Sequence, residues 1–204
     1  MLPPNTELDS NINIEPNNQI PGLTYIPEYI SLDEQNLLVS IIDQKEWSTK
    51  TQRRVQHYGY QYDYKSGLLA SSSYLGALPN WLQNIAKRLE SDRLTAQLPD
   101  QVIINEYQPG QGINNHIDCI PCFGKIIISL SLASPCLMDF TQADTSEQIP
   151  ILLLPGSLIV MQEAARYKWQ HGIAARKKDH YQDKETTRKR RVSITFREVL
   201  FPYK

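Results

Sequence analysis

The spacing of apolar positions divides the chain into a helical first half and a strand-rich second half. A first helix is predicted by a stripe of apolar residues at helical spacing, made of Leu37, Leu38, Ile41 and Ile42. Ser31 and Glu34 form the capping box expected at its start. A second amphipathic helix is predicted to begin near Pro79, with an apolar face made of Trp81, Leu82, Ile85 and Leu89.

From Val102 onward, short runs of β-type residues replace the helical pattern. Eight strands are predicted, in the segments VIINEY, GINNHID, KIIISLSL, CLMDF, IPILLL, SLIVM, YKWQHGI and RVSITFREV. Because no helical pattern separates these runs, we expect antiparallel pairing. The predicted fold is therefore mostly β with flanking N-terminal helices, in a sandwich or roll.

Three regions of the chain differ in character. Residues 1–20 are rich in Asn and Pro and lack periodicity, which predicts a flexible N-terminal arm. Residues 21–204 are expected to form one domain, because a chain of 204 residues can bury one substantial core. A turn-rich stretch at residues 50–65 separates the two predicted helices.

Composition limits the cellular context. No apolar run is long enough for a membrane span, and the N-terminus lacks the features of a secretion signal. Three cysteines do not suggest a disulfide framework, so we expect a cytoplasmic protein with structural thiols, including those of the C-x-x-C pair Cys119 and Cys122. His57 and His180 lie in polar segments, which predicts surface positions for both.

Basic residues concentrate in one segment of an otherwise neutral chain. The formal net charge is −1, yet residues 176–191 carry eight Lys and Arg against three Asp and Glu, a local balance of +5. Such a segment is typical of a phosphate-binding patch, and equally of a solvated loop.

One set of residues has the composition of a non-haem iron centre. His116 and Asp118 are two positions apart, so on a strand both side chains face the same side of the sheet. His171 supplies a second imidazole, and two imidazoles with one carboxylate hold Fe(II) on one face while the opposite face stays open. Taken singly, each histidine is more typical of a hydrogen-bonded sheet residue.

Two later arginines fit a dicarboxylate co-substrate of that centre. An α-keto acid chelates the metal through two positions and leaves one for O2, so the protein must bind its far carboxylate. Arg191 and Arg197 are six apart on a predicted strand and share a face, and a guanidinium pairs bidentately with a carboxylate. Thr195 lies in the same register and adds a hydroxyl donor.

These motifs resemble those of the AlkB family of Fe(II)- and 2-oxoglutarate-dependent dioxygenases. The segments that carry the resemblance, spread over residues 22–199, are NEYQPGQGINNHID, WQHGI and RVSITFR. The run QRRVQHYGYQYDY, the HID triplet and CLMDF are most similar to a branch whose animal members join this domain to a tRNA methyltransferase and hydroxylate a modified wobble uridine. The resemblance implies a double-stranded β-helix, the jelly roll of that family.

The resemblance also implies roles for individual residues. Iron would be bound by His116, Asp118 and His171. The co-substrate 2-oxoglutarate would be bound by Asn105, Tyr107, Arg191, Thr195 and Arg197, with Arg197 also supporting Asp118. A lid at about residues 50–65 would contact nucleic acid through Arg53, Arg54 and Tyr58. The chain departs from the DNA-repair members at Ile120, where they carry an acidic residue, and at Ser193, where they carry Asn.

Together these features predict a monomeric dioxygenase that uses Fe(II), 2-oxoglutarate and O2. Its expected reaction is hydroxylation or demethylation of a nucleobase in single-stranded or loop nucleic acid, because a stacked base does not reach the metal. The sequence leaves DNA against RNA, and repair against tRNA modification, open. Two other classes also remain open, a hydroxylase of a protein or small molecule and a binding module without activity.

Overall fold

The computed structural model describes residues 15–62 and 69–200. Within them the helices are α1 (Leu32–Asp43), α2 (Asn80–Ser91) and the short α3 (Glu163–Tyr167), with a 3-10 turn at Ser71–Ser73. The strands are β1 (Glu15–Pro16), β2 (Leu23–Ile26), β3 (Val55–Tyr58), β4 (Gln101–Tyr107), β5 (Ile113–His116), β6 (Phe123–Leu132), β7 (Cys136–Gln142), β8 (Gln148–Leu153), β9 (Leu158–Met161), β10 (Trp169–Ile173), β11 (Lys178–Tyr181), β12 (Lys184–Thr187) and β13 (Arg191–Val199).

Two antiparallel sheets form the body of the fold. The larger sheet has the strand order β1-β2-β9-β6-β13-β4-β3, and the smaller has the order β5-β10-β7-β8. Strands β11 and β12 pair only with each other, as a hairpin. This mostly β architecture with helices outside confirms the predicted fold class.

Strand β13 shows how the sequence separates the core from the site. Val192, Ile194 and Phe196 are fully buried in one apolar cluster with the helices α1 and α2. The alternate residues Arg191, Ser193, Thr195 and Arg197 line a cavity on the other face. Since side chains of a strand alternate between faces, one strand serves both the helix-packed core and the site.

The helices form as their apolar stripes predict. Ser31 caps α1 by accepting from the backbone N–H of Glu34, while the Glu34 carboxylate accepts from the Ser31 N–H, so the predicted capping box is present. Helix α2 follows Pro79, and Leu82 and Leu89 on its buried face are 0% exposed. Both helices therefore cover the outer face of the larger sheet.

Some of the structure differs from the sequence-based expectations at the N-terminal end. Residues 1–14 of the expected arm lie outside the described residues, but β1 pairs with β2 and Ile20 is fully buried, so packing begins before residue 20. The predicted lid also contains β3, which pairs with β4, and its residues 63–65 are not described. His57 on β3 is only partly exposed, because it lies inside this pairing, whereas His180 is exposed as expected.

Other differences concern the second half of the chain. Residues 178–187 form the hairpin β11–β12 where the sequence left a solvated loop as one reading. Cys119 and Cys122 form a disulfide, in place of the expected thiols, because the turn that follows the metal motif brings their Cα atoms to 5.2 Å. Among the described residues, no helix has the length and apolar character needed to cross a membrane.

Candidate metal and co-substrate site

A cavity of about 1110 Å³ lies between the two sheets and is partly open to solvent. Strands β4 and β13 of the larger sheet form one wall, and β5 and β10 of the smaller sheet form the other. Every residue predicted to bind iron or 2-oxoglutarate lines this cavity: His116, Asp118, His171, Asn105, Tyr107, Arg191, Thr195 and Arg197. The structure thus brings together residues separated by up to 92 positions in the sequence.

Three potential metal ligands lie at the junction of β5 and β10. His116 and His171 are paired across the two strands, with ring centroids 4.4 Å apart. Asp118 follows two residues beyond the end of β5, not on the strand as predicted, yet its Oδ2 lies 3.8 Å from His171 Nε2. Among the described residues, no group of three His, Cys, Asp or Glu side chains is already arranged as a complete metal site. The three are neighbours around one end of the cavity.

The charge states of these groups suit metal ligation. Burial raises the pKa of the Asp118 carboxyl, but Arg197 and then the two imidazoles outweigh it and lower that pKa to about 2. Burial, followed by repulsion from His116, lowers the pKa of His171 to about 4. His116 Nδ1 lies 2.8 Å from the carbonyl oxygen of Asn114, which in the neutral ring leaves the Nε2 lone pair for a ligand. At neutral pH the set therefore presents an anionic oxygen and a neutral His171, as metal binding requires.

Arg197 holds Asp118 from the larger sheet. Its Nη1 donates to Asp118 Oδ1 at 2.7 Å, and its Nε donates to Gln101 Oε1 at 2.8 Å. The guanidinium also lies over the ring of Phe123, 4.2 Å from the centroid. These contacts fix the carboxylate while leaving Oδ2 directed toward His171.

The loop after β5 is held by an arginine that sequence analysis did not single out. Arg166 of α3 is 2% exposed and donates to the backbone carbonyls of Asp118, Cys119, Phe123 and Gly124. The Cys119–Cys122 disulfide closes the same loop. No sequence signal identified Arg166, because its partners are main-chain atoms more than 40 residues away.

Arg191 is a buried cation with unused donors. Its Nη2 donates to Ser131 Oγ at 2.9 Å, and the residue is 2% exposed. Its Nε and Nη1 are buried and have no hydrogen-bond partner among residues 15–62 and 69–200. Unpaired buried donors of a charged group are costly, so such a group is expected to meet an anion in the cavity. The planar fork fits a carboxylate, which is what the far end of 2-oxoglutarate offers.

The remaining co-substrate candidates surround Arg191. Strand pairing places Tyr107 opposite Arg191 and Asn105 opposite Ser193, and the Arg191 guanidinium lies 5.4 Å from the Tyr107 ring centroid. Thr195 Oγ1 lies 3.3 Å from Ser129 Oγ. The serines Ser129 and Ser131 were missed by sequence reasoning, although their two-residue spacing in KIIISLSL is the signal of a shared face.

Only one of the three predicted lid residues reaches the cavity. Arg53 lines it and donates from Nε to Asn105 Oδ1 at 2.9 Å. Arg54 points away from the cavity and forms a bidentate pair with Glu106, at 2.6 and 2.7 Å. Glu106 is 2% exposed and lies on the face of β4 opposite to the cavity, so the pair draws Arg54 to that face. Tyr58 donates to Gln56 and packs edge-on against Trp81, so it faces the helix-packed core.

The basic segment 176–191 is less available than its charge suggests. Arg176 and Arg188 both pair with Asp179, and Arg190 pairs with Asp43 and Glu106. Its lysines remain exposed: Lys177, Lys178, Lys184 and Lys189. Lys178 is paired with Glu185. The lysines, not the arginines, form the exposed basic surface of the segment 176–191.

A family model describes most of the chain. The model of the 2OG-Fe(II) oxygenase superfamily matches residues 22–197, which contain both walls of the cavity. The fold of the chain is also similar to that of a solved protein structure. The structure entitled "The structure of OsALKBH1" superposes with a TM-score of 0.69 and 16% identity, over 91% of this chain and 99% of that chain.

Three relatives are similar in sequence. Uncharacterized protein L905 of Acanthamoeba polyphaga mimivirus is 34% identical, over 88% of this chain and 85% of its own length. The Arabidopsis thaliana "Alkylated DNA repair protein ALKBH8 homolog" is 35% identical, over 94% of this chain and 60% of its own length. The Macaca fascicularis "tRNA (carboxymethyluridine(34)-5-O)-methyltransferase ALKBH8" is 36% identical over 88% of this chain, which spans only 30% of that protein.

The chain therefore belongs to the 2OG-Fe(II) oxygenase superfamily and, within it, to the AlkB family. Members use Fe(II), with 2-oxoglutarate and O2 as co-substrates. The protein is accordingly an Fe(II)/2-oxoglutarate-dependent dioxygenase. The two imidazoles, the ionised carboxylate and the unpaired Arg191 are residues that fit both groups.

Proposed function

We propose that this dioxygenase oxidises a substituent of a nucleobase in single-stranded or loop nucleic acid. His116, Asp118 and His171 bind Fe(II), and Arg191 binds the far carboxylate of 2-oxoglutarate. The observation that carries the assignment is the buried Arg191 guanidinium, whose Nε and Nη1 have no partner and which lies in the same cavity as the three ligands.

The protein residues divide the work of binding and orientation. Arg197 keeps Asp118 ionised and fixed through the 2.7 Å hydrogen bond, so that the carboxylate is ready for the metal. The hydroxyl of Thr195 and the side chains of Asn105 and Tyr107 hydrogen-bond the co-substrate between Arg191 and the metal end. Bound Fe(II) supplies the O2 chemistry in which 2-oxoglutarate is oxidised to succinate and CO2 while the substrate carbon gains a hydroxyl group.

Two observations support nucleic acid as the substrate. The relatives named above are called an alkylated DNA repair protein and a tRNA methyltransferase, which links this domain type to nucleic acid. The exposed Lys177, which directly precedes the hairpin β11–β12, lies beside Gly110 of the cavity lining. A phosphate group of a strand whose target base is turned into the cavity would meet this lysine.

The position of the new hydroxyl decides between repair and modification. On an N-methyl group the hydroxylated carbon leaves as formaldehyde, and the unmodified base is restored. On a carbon-linked substituent the hydroxyl stays. We favour modification of an anticodon-loop uridine in tRNA, because the tRNA methyltransferase is 36% identical over 88% of this chain and Ile120 replaces the acidic residue of the DNA-repair members. We also propose that the protein acts as a monomer in the cytoplasm.

The test has two stages. Anaerobic mixing with Fe(II) and 2-oxoglutarate should produce a visible charge-transfer band, and His116→Ala should remove both the band and succinate formation. Turnover with total tRNA, methylated RNA and methylated single-stranded DNA is then followed by mass spectrometry of the nucleosides. A gain of one oxygen on a tRNA uridine is expected. Loss of methyl groups from DNA with unchanged tRNA would contradict modification, and succinate formation without any change in nucleic acid would favour a protein or small-molecule substrate.

A further inference from the structure

Arg53 lies on the side of the cavity where the co-substrate residues are, although the sequence suggested contact with nucleic acid. Its backbone is held on both sides, since Gln52 O accepts from Gln111 Nε2 at 2.8 Å and Arg54 O accepts from the Glu106 N–H at 3.0 Å. The neighbour Arg54 is turned to the opposite face of β4 by Glu106. The fold therefore fixes which of the two arginines enters the cavity.

The contact between Arg53 and Asn105 sets the orientation of the asparagine amide. Arg53 Nε donates to Asn105 Oδ1 at 2.9 Å. An asparagine side chain has one accepting oxygen and one donating NH2 group. When Arg53, which can only donate, engages the oxygen, the NH2 group is the part left to address the cavity. An anionic or carbonyl oxygen of a bound ligand requires that donor.

Arg53 and Arg191 also approach Tyr107 from two directions. The Arg53 guanidinium carbon lies 5.7 Å from the Tyr107 ring centroid, and that of Arg191 lies 5.4 Å from it. The end of the cavity around Tyr107 thus carries two guanidinium groups, and of the two aspartates that line the cavity, Asp118 is already paired with Arg197. A dianion is the ligand that this arrangement of charge favours.

We propose that Arg53 is a positioning residue for 2-oxoglutarate, which orients the Asn105 amide so that its NH2 group donates to the co-substrate. This inference rests on the proposed function, because it requires 2-oxoglutarate in the cavity beside Asn105. It replaces the assignment of Arg53 to nucleic acid, and it connects the segment before β3 to the co-substrate end of the site.

The experiment measures co-substrate binding without turnover or nucleic acid. 2-Oxoglutarate is titrated by calorimetry into the full chain loaded with Mn(II) in place of Fe(II). Arg53→Met, which keeps most of the side-chain volume, should weaken binding about 10-fold to 100-fold, the effect of losing a hydrogen bond that a charged group makes. Arg54→Met is the matched control and should change binding less than about twofold, since Arg190 still donates to Glu106. Arg53→Ala, which likewise lacks a donor and carries the same expectation, replaces the methionine variant if melting shows that the latter does not fold.

A double-mutant cycle tests whether Arg53 acts through Asn105. Asn105→Ala should weaken binding, and adding Arg53→Met to it should have little further effect. Binding of a single-stranded oligonucleotide should be the same for the wild type and Arg53→Met. Equal 2-oxoglutarate affinity in Arg53→Met and Arg54→Met, or fully additive effects with Asn105→Ala, would overturn the inference. If the wild type itself did not bind 2-oxoglutarate, the proposed function would fail instead, so the two failures are distinguishable.

Discussion

Replacing Arg191 with methionine should abolish 2-oxoglutarate binding without destabilising the protein. The guanidinium leaves two nitrogen atoms buried without a partner, and each such donor costs about 1–3 kcal/mol in the folded state. The substitution also loses the hydrogen bond to Ser131 and the contact with the Tyr107 ring, together about 2–3 kcal/mol. The free energy of unfolding should therefore fall by no more than about 1 kcal/mol or rise by up to about 4 kcal/mol.

Arg188 provides the matched comparison, because it is a buried arginine whose donors are used. It is 6% exposed, donates twice to Asp179 at 2.7 Å and donates to the Ala174 carbonyl at 2.6 Å. Arg188→Met leaves the buried Asp179 with Arg176 as its remaining guanidinium partner. That substitution should lower the free energy of unfolding by about 3–5 kcal/mol.

Urea unfolding of both variants, with and without ligand, measures these differences. At about 100 times its dissociation constant, 2-oxoglutarate with Mn(II) should stabilise the wild type by about 2.7 kcal/mol. Arg191→Met should gain nothing at that concentration. If Arg191→Met lost as much stability as Arg188→Met, the unpaired donors of Arg191 would not destabilise the folded state as argued above. An unchanged gain from 2-oxoglutarate would refute the carboxylate-binding role of Arg191.

Three further predictions follow from the structure. Burial first, then Arg197 and Arg53, lowers the pKa of His57 to about 4. The neutral form of His57 therefore stabilises the fold above pH 6.5, and this contribution of up to about 3 kcal/mol is lost as the pH falls from 6.5 to 4. In urea unfolding, His57→Phe should lack this pH-dependent component, and a pH profile identical to that of the wild type would contradict the prediction. In Gly172→Ala the new Cβ would lie 2.9 Å from the backbone N of Asn115 and 3.0 Å from the carbonyl oxygen of Ile113, besides 2.1 Å from Asn115 Oδ1. Because the backbone of β5 cannot rotate away, β10 and β5 should separate and Mn(II) binding should weaken about tenfold or more in a titration, whereas wild-type affinity would count against this. Arg166→Met should lower the free energy of unfolding by about 3 kcal/mol and speed amide hydrogen exchange in residues 117–124, because the arginine donates to the carbonyl groups of that loop. Lys168→Met, a substitution of an exposed neighbour, should have neither effect. Exchange in Arg166→Met as slow as in the wild type would show that Arg166 does not hold the loop.

Residues on regular strands were predicted well from the sequence. The alternation along RVSITFREV placed Arg191, Thr195 and Arg197 on one face, and in the structure all three line the cavity. The pair His116 and Asp118 was expected on a single strand, but β5 ends at His116. Both side chains still approach His171, because the loop after β5 is short and its carbonyl groups accept hydrogen bonds from Arg166.

The direction of residues outside the strands depended on distant partners. Arg53 and Arg54 are neighbours of the same type, and their opposite directions are decided by Asn105 and Glu106, more than 50 positions later. Periodicity carries no information about such contacts. Likewise, the C-x-x-C pattern alone did not distinguish thiols from a disulfide, since the distance between Cys119 and Cys122 depends on the turn between them.

The two faces of β13 have a consequence for how this enzyme can diverge. The strand supplies Arg191, Thr195 and Arg197 to the cavity and Val192, Ile194 and Phe196 to the packing of the helices, so its register cannot shift without losing both. The hairpin β11–β12 pairs with no strand of either large sheet. We expect substitutions of its exposed lysines, Lys178 and Lys184, to change the choice of polymer proposed above, whereas Asp179 on β11 has to stay because it pairs with Arg176 and Arg188. Divergence in substrate choice is therefore expected at exposed side chains of the hairpin, while β13 keeps the residues of the proposed oxidising centre in register.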